Sequence, residues 1–279
     1  LKLFIERKEK MSKKIIDPNL YDEEYYLSDN EGCAEYKKGI DQNIHPKFKR
    51  ALELVAIKPG YRVIDVGCGR GELVYYCAQR GAEVLGVDYS DAAIKIAQKT
   101  MQKLSKEVQK KVIVKVADIA EMELEGLFDC IFMVEIAEHM YDWQLQAAFS
   151  RFEKHLKPQG RLIIMTPNFY YEKYLQPLKL FLDIPCRLFK WPLRIFRGKY
   201  KPKSIRELLH KIFHIKKDRG EINRQRHGNV MTPRHLKELL NGFDVQMWCE
   251  DHSIAPVSLL FKKWWGLEII SIAKPKLDK

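Results

Sequence analysis

No stretch of eighteen or more apolar residues occurs in this 279-residue chain, so no transmembrane helix is expected. Its first fourteen residues, LKLFIERKEKMSKK, lack the apolar core and small-residue cleavage site of a secretory signal, which predicts a cytoplasmic location. Cysteine is sparse and dispersed. The six residues Cys33, Cys68, Cys77, Cys130, Cys186 and Cys249 form no C-x-x-C pair and stand beside no histidine at zinc spacing. Reduced, buried thiols are therefore expected, with no disulfide framework and no metal site. Internal repeats and low-complexity tracts are also missing, and 46% hydrophobic residues supply a real core. One domain, or one domain with an insertion, is the expected organisation.

Positive charge is in excess, at a formal +12, but it is unevenly placed. Residues 60–168 are close to neutral, whereas residues 169–217 hold 13 Lys/Arg against 3 Asp/Glu. One segment carries most of the surplus and needs its own explanation.

Ahead of the regular part, residues 17–45 are polar and rich in tyrosine and read as short helices and loops. From Pro46, Phe48, Leu52, Val55 and Ala56 can share one helical face, ending at Pro59-Gly60. Apolar strand-like runs and helical patterns then alternate. YRVIDVG is followed by a helix stopped at Gly81, and AEVLGVDYS by a helix with Ser90 as N-cap. KVIVKVAD is a third strand, FDCIFMVE a fourth, then a helix over 142–156, a turn at Pro158-Gly160 and the strand RLIIMTPN. This rhythm predicts a parallel sheet covered on both faces. After an irregular stretch over 169–228, a helix with Thr232 as N-cap and Pro233 at its first position precedes two final strands.

The candidate site lies in VIDVGCGRGE, residues 63–72. Its glycines are Gly67, Gly69 and Gly71, not the G-x-G-x-x-G of a dinucleotide site, and no Gly-Lys-Ser/Thr follows as a P-loop requires. Asp65, two residues before the first glycine, would repel a pyrophosphate and suits a ligand carrying a cationic amine. Asp88, 21 residues after Gly67, stands at the end of strand two, where a carboxylate accepts bonds from both ribose hydroxyls. Asp118, after strand three, can accept from the amino group of an adenine. An adenosine with a cationic, amino-acid-like tail describes S-adenosylmethionine.

VIDVGCGRGE, VLGVDYS, VADI, FDCIFMVEIAEH and LKPQGRLIIMTPN resemble, in order and spacing, the motifs of class I S-adenosylmethionine-dependent methyltransferases. The resemblance covers about residues 46–168 and the final helix and strands. It implies an α/β fold, a Rossmann-like three-layer sandwich around a mostly parallel seven-stranded sheet with an antiparallel last strand. It also implies roles for matching residues. Asp65 and the backbone of Gly67, Cys68 and Gly69 would hold the methionine part, and Asp88 and Tyr89 the ribose. Asp118 and Ile119 would flank the adenine, and Glu135 would line the pocket.

Methyl transfer from a sulfonium needs an in-line nucleophile and the exclusion of water, and an oxygen nucleophile also needs a base. His139, in AEHM, and His227, in RQRHGNVMTP, are the candidates. Each has a plainer alternative: His139 as a residue that orients the loop after strand four, His227 as a surface loop residue. No Asn/Asp-Pro-Pro-aromatic motif follows strand four, and no cysteine sits just after strand four or five where a pyrimidine-attacking nucleophile would, which argues against methylation of base amino groups or of pyrimidine carbons.

Between strand five and the last helix, Phe181, Ile184, Leu188, Trp191 and Ile195 form a helical stripe, with Lys and Arg largely off it. Pro185 and Pro192 divide it into two short helices. Three readings are open for residues 177–203: a lid on the core, a contact with an anionic membrane surface, or a nucleic-acid surface. Nucleic acid is disfavoured, because the apolar residues are mostly aliphatic. Tyr21, Tyr25, Tyr26 and Tyr36 either fold over the cofactor or pack on the sheet edge.

The expected organisation is an N-terminal cover over 1–45 and a methyltransferase domain over 46–279, with 169–228 as a basic insertion. The expected activity is methylation, chiefly on oxygen, of a small-molecule or lipid-like acceptor by an enzyme that is cytoplasmic or peripheral at the inner membrane face. It resembles the broad group of quinone-biosynthesis and glycan-pathway methyltransferases. An RNA methyltransferase is the alternative enzyme, and a scaffold with a non-catalytic methyltransferase fold is the alternative of another class.

Overall fold

A computed structural model describes residues 15–175, 195–196, 204–206, 227–250 and 266–276. The apolar stripe of the basic segment, apart from Ile195, lies outside the described residues, as does Trp264-Trp265.

Seven strands form one sheet: β1 Arg62–Val66, β2 Glu83–Asp88, β3 Val112–Val116, β4 Phe128–Val134, β5 Leu156–Pro167, β6 Phe243–Glu250 and β7 Glu268–Pro275. Their order is β3-β2-β1-β4-β5-β7-β6. β1 to β5 pair in parallel, and β7 runs antiparallel to both β5 and β6. The α/β architecture expected from the alternation of strands and helices is the one observed.

Helices cover both faces. α1 is Cys33–Lys38, α2 Pro46–Leu54, α3 Glu72–Gln79, α4 Asp91–Met101, α5 Lys106–Gln109, α6 Asp142–His155 and α7 Pro233–Leu239. Successive strand side chains point to opposite faces, so each buried strand feeds two cores. Val63, Cys130, Phe132 and Ile163 pack with Leu52 of α2 and Leu73, Val74 and Cys77 of α3. Ile64, Ile131, Met133 and Ile164 pack with Leu145, Phe149 and Phe152 of α6 and Leu236 of α7. A third, smaller cluster sets Ile16, Tyr21 and Tyr26 against Ala93 and Ile96 of α4, which fastens the N-terminal segment over one end of the sheet.

The caps read from the sequence are present. The Ser90 hydroxyl accepts from the Ala93 amide at 3.2 Å, and that of Thr232 accepts from the His235 amide at 3.1 Å. Two boundaries differ from expectation. α2 stops at Leu54, before Pro59-Gly60, because Val55 is already extended at φ −132°. β5 starts at Leu156 and includes Pro158-Gly160: Phe128 pairs with Leu156 and Cys130 with Arg161, so the intervening residues are taken up by an irregularity of register.

The strand order reverses direction between β1 and β4. In open sheets of this kind the two chain connections leave β1 and β4 on opposite faces, and a crevice opens at their carboxyl ends.

Candidate active site

A cavity of about 400 Å³ occupies that crevice, a volume within the range of ordinary ligand pockets. The ends of β1, β2 and β4 supply its floor and the N-terminal segment its cover: Asp65, Gly67 to Arg70, Asp88, Tyr89, Glu135 and His139 face Tyr21, Tyr25, Tyr26 and Asn30 across it.

The turn after β1 depends on its glycines. Gly67 has φ +68°, and a Cβ there would stand 2.6 Å from Cδ1 of Ile136. Gly69 has φ +51°, and its amide donates to Oδ2 of Asp88 at 2.9 Å. An L side chain is strained at both positions. The turn is further fixed by the amides of Gly67 and Cys68, which donate to the Val87 carbonyl at 2.8 and 3.0 Å.

Asp65 is 4% exposed. Burial pushes its carboxyl well up, and Asp88 and Glu72 push it the same way. Among the described residues no cation stands within ion-pair distance of it. A buried carboxylate facing a cavity without a counter-charge is what a cationic amine would relieve. Asp88 is raised to about 6 by burial, against the amides of Ser90 and Gly69 that stabilise its charge. Besides those two amides, Tyr26 Oη reaches Oδ1 at 3.5 Å. Asp118 and Ile119 line a small adjoining cavity with Val66, Asp88, Tyr89 and His139, so the candidate adenine residues sit beside the candidate ribose residues.

Beyond β4, Glu135 is the only non-glycine among the described residues with positive φ, at +56°. Strain of this kind persists where surrounding contacts enforce it and is concentrated at functional sites. Here the Glu135 amide donates to the Met165 carbonyl at 2.8 Å, and the carboxylate meets Lys47 Nζ at 2.9 Å. Lys47 also reaches Glu31 at 2.6 Å and Glu268 at 3.1 Å. Burial alone would pull the Lys47 ammonium down, but the three carboxylates hold it above its usual range. Its charge is shared, so burial still leaves Glu135 raised to about 7.

His139 and His227 come together, although 88 positions separate them in the sequence. Their ring centroids are 4.9 Å apart, edge to face. Nδ1 of His139 shares a hydrogen bond of 2.8 Å with Tyr21 Oη. Glu138, between Glu135 and His139, is 1% exposed; its Oε2 accepts from Thr166 Oγ1 at 2.9 Å, and its Oε1 lies 3.7 Å from His139 Nε2. Tyr21, Tyr25 and Tyr26 line the cavity, whereas Tyr36 turns away and its hydroxyl meets Thr100 on α4 at 2.8 Å.

The family model for methyltransferase domains matches residues 36–250. The chain belongs to this methyltransferase family. It is a class I S-adenosylmethionine-dependent methyltransferase, and its cofactor is S-adenosylmethionine. A ubiquinone biosynthesis O-methyltransferase of Alkalilimnicola ehrlichii is 36% identical over 116 residues, 42% of this chain and 45% of that protein. A cyclopropane-fatty-acyl-phospholipid synthase of Escherichia coli is 31% identical over 137 residues, 48% of this chain and 34% of that protein. The chain thus spans less than half the length of these two curated relatives. Among solved structures, PH0226 of Pyrococcus horikoshii has TM-score 0.53 at 18% identity, covering 91% of this methyltransferase and 96% of that chain. The glycopeptide N-methyltransferase MtfA, solved with S-adenosylmethionine, has TM-score 0.51 at 12% identity, covering 82% and 87%. These two share the fold.

Four features of this methyltransferase site escaped the sequence reading: Lys47, Glu31, Glu138 and the Arg70–Glu72 pair. Arg70 is 3% exposed; it meets Glu72 at 2.8 Å and donates to the carbonyls of Tyr26 and Glu31, each at 2.8 Å. Only its place inside the glycine motif could have drawn notice.

Proposed function

We propose that this methyltransferase transfers a methyl group to an oxygen of a small-molecule or lipid-like acceptor. The observation that carries the reading is the polar cluster of Glu138, His139 and His227. It lines the same cavity as Asp65, Asp88 and the glycine turn. Nitrogen acceptors that are already nucleophilic at neutral pH have no need of such a cluster, whereas a hydroxyl must lose its proton.

S-adenosylmethionine supplies an activated methyl group on a sulfonium, which departs as the thioether when the acceptor oxygen displaces it. The chain's residues bind and orient. Asp65 takes the ammonium of the methionine part together with the backbone of Gly67, Cys68 and Gly69. Asp88 and Tyr89 hold the ribose, and Asp118 and Ile119 flank the adenine. Tyr21, Tyr25 and Tyr26 close over the cavity and exclude water. The polar groups that line the cavity around His139 and His227, Glu135 among them, assist loss of the acceptor's hydroxyl proton. The curated relatives named for ubiquinone O-methylation and for phospholipid chemistry support an organic-soluble acceptor.

The basic segment 177–203 is proposed to meet an anionic membrane surface, from its charge and its aromatic-bearing apolar stripe. Among the described residues no helix is long and apolar enough to cross a membrane. Sedimentation with phosphatidylglycerol vesicles that is lost on Trp191→Ala supports the surface reading, and sedimentation that is equal for both proteins contradicts it.

The test of the acceptor class is incubation of a cell extract with methyl-labelled S-adenosylmethionine and the enzyme, with Asp88→Ala as the blank. Label in the organic-soluble or small-molecule fraction is expected. Label confined to RNA would overturn the proposal.

A further inference from the structure

The geometry points to a divalent-cation site formed by Glu138, His139 and His227, with its open coordination positions facing the cavity. One oxygen of Glu138 and one ring nitrogen from each histidine lie within 4.8 Å of one another. Donors 2.0–2.2 Å from a common ion stand about 3 to 3.5 Å apart, so a modest closing of side chains suffices.

Three observations make this a built site. First, each ligand between β4 and α6 is aimed by a partner on its far side. Tyr21 holds Nδ1 of His139 at 2.8 Å, which leaves Nε2 directed at the centre, and Thr166 holds Oε2 of Glu138 at 2.9 Å, which leaves Oε1. The two directed atoms, Oε1 and Nε2, are 3.7 Å apart. Outer hydrogen bonds that fix the orientation and tautomer of a ligand are the usual support of metal sites. Second, the strand of chain that brings His227 is pinned to the same loop. The Asn229 amide donates to the Glu138 carbonyl at 3.0 Å, and its side-chain amide donates to the Met140 carbonyl at 3.0 Å and to Asp142 at 2.8 Å. Third, among the described residues little positive charge is paired with Glu138. Glu138 is 1% exposed, and Lys47, which pairs with Glu31, Glu135 and Glu268, is not within ion-pair distance of it. A divalent ion is the natural neutraliser of a buried carboxylate flanked by two imidazoles.

Two imidazoles and one carboxylate suit a first-row divalent ion such as Zn²⁺, Mn²⁺, Fe²⁺ or Co²⁺. The remaining positions would take an oxygen of the acceptor. A bound hydroxyl loses its proton more readily, because the cation stabilises the alkoxide. This role rests on the oxygen-acceptor reading above; the site itself does not. His139 and His227 then act as ligands, and the hydroxyl proton leaves to solvent or to Glu135, which lines the same cavity.

The test is titration of Co²⁺ alone into the chelator-treated full-length chain, followed by visible absorption and equilibrium dialysis. One Co²⁺ per chain is expected, displaced by Zn²⁺. Glu138→Gln and His227→Ala should each weaken it by more than tenfold, and Tyr21→Phe by about tenfold. Binding of S-adenosylmethionine at wild-type affinity identifies variants that are folded. The absence of stoichiometric binding, or binding unchanged in folded Glu138→Gln and His227→Ala, would overturn the site. A chain that binds Co²⁺ but labels no organic acceptor would contradict the oxygen reading and leave the site standing. A metal-free chain that methylates an organic hydroxyl at full rate would contradict the ion's role in activating the hydroxyl and leave the oxygen reading standing.

Discussion

The hydroxyl of Tyr21 and Nδ1 of His139 share a 2.8 Å hydrogen bond across 118 positions of sequence. It joins the N-terminal cover to the loop after β4 and fixes which face of the imidazole ring looks into the cavity. Burial keeps the phenol protonated by pushing its pKa up, with Tyr89 adding to the effect. Tyr21→Phe removes the bond and leaves the ring volume. The expected result is a loss of about 0.5–1.5 kcal/mol in stability, with kcat falling about tenfold and the Kd for S-adenosylmethionine unchanged. Thermal unfolding and steady-state kinetics separate these effects; a drop in affinity equal to the drop in kcat would place Tyr21 on the cofactor instead.

Asp88 predicts a pH dependence for cofactor binding. Burial raises its carboxyl to about 6. Only the charged form accepts from two ribose hydroxyls, and those bonds lower its pKa in the complex. Affinity should therefore be level above about pH 6.5 and fall as pH drops through 6, by up to about tenfold per unit. Calorimetric titration between pH 5 and 8 reads this directly. A flat profile would exclude the ribose role.

Arg70 anchors the cover. Its guanidinium is buried, pairs with Glu72 and donates to Tyr26 and Glu31. Glu72 is already raised to about 6 by burial against the pull of Arg70. Arg70→Ala leaves that carboxyl buried without its partner, a loss of about 3–5 kcal/mol. It also frees the carbonyls that hold residues 26–31. Limited proteolysis should cut between residues 22 and 45 in the variant and not in the parent. Equal cleavage of both would show that the cover is held elsewhere.

What the sequence made legible was local. Asp65, Gly67, Gly69 and Asp88 sit within three residues of strand ends, and alternation of strand and helix decides which end of the sheet that is. Caps at Ser90 and Thr232 were legible for the same reason. Lys47 was not, because it reaches the site from a helix that precedes the sheet, with no spacing to tie it to the site; Tyr21 was legible as a possible cover, but its bond to His139 was not. Glu138 stood in plain view inside VEIAEH, but a short helical turn over Ala137–His139 is needed to bring its carboxylate beside His139. His139 and His227 were each named, but their contact was not, because 88 positions separate them and no spacing in the sequence ties one to the other. The end of α2 was set too late, since the apolar face continues through Val55 although the backbone does not.

The most direct measurement is calorimetric titration of S-adenosylmethionine into the wild-type chain and into Asp65→Asn, which keeps the shape of the side chain and removes its charge. Affinity in the variant should be weaker by about 10- to 100-fold, the worth of one charged hydrogen bond. No drop in melting temperature is expected, because Asp65 is buried with no counter-ion among the described residues. Equal affinity in the two proteins would contradict the assignment of this cavity to the cofactor's cationic tail.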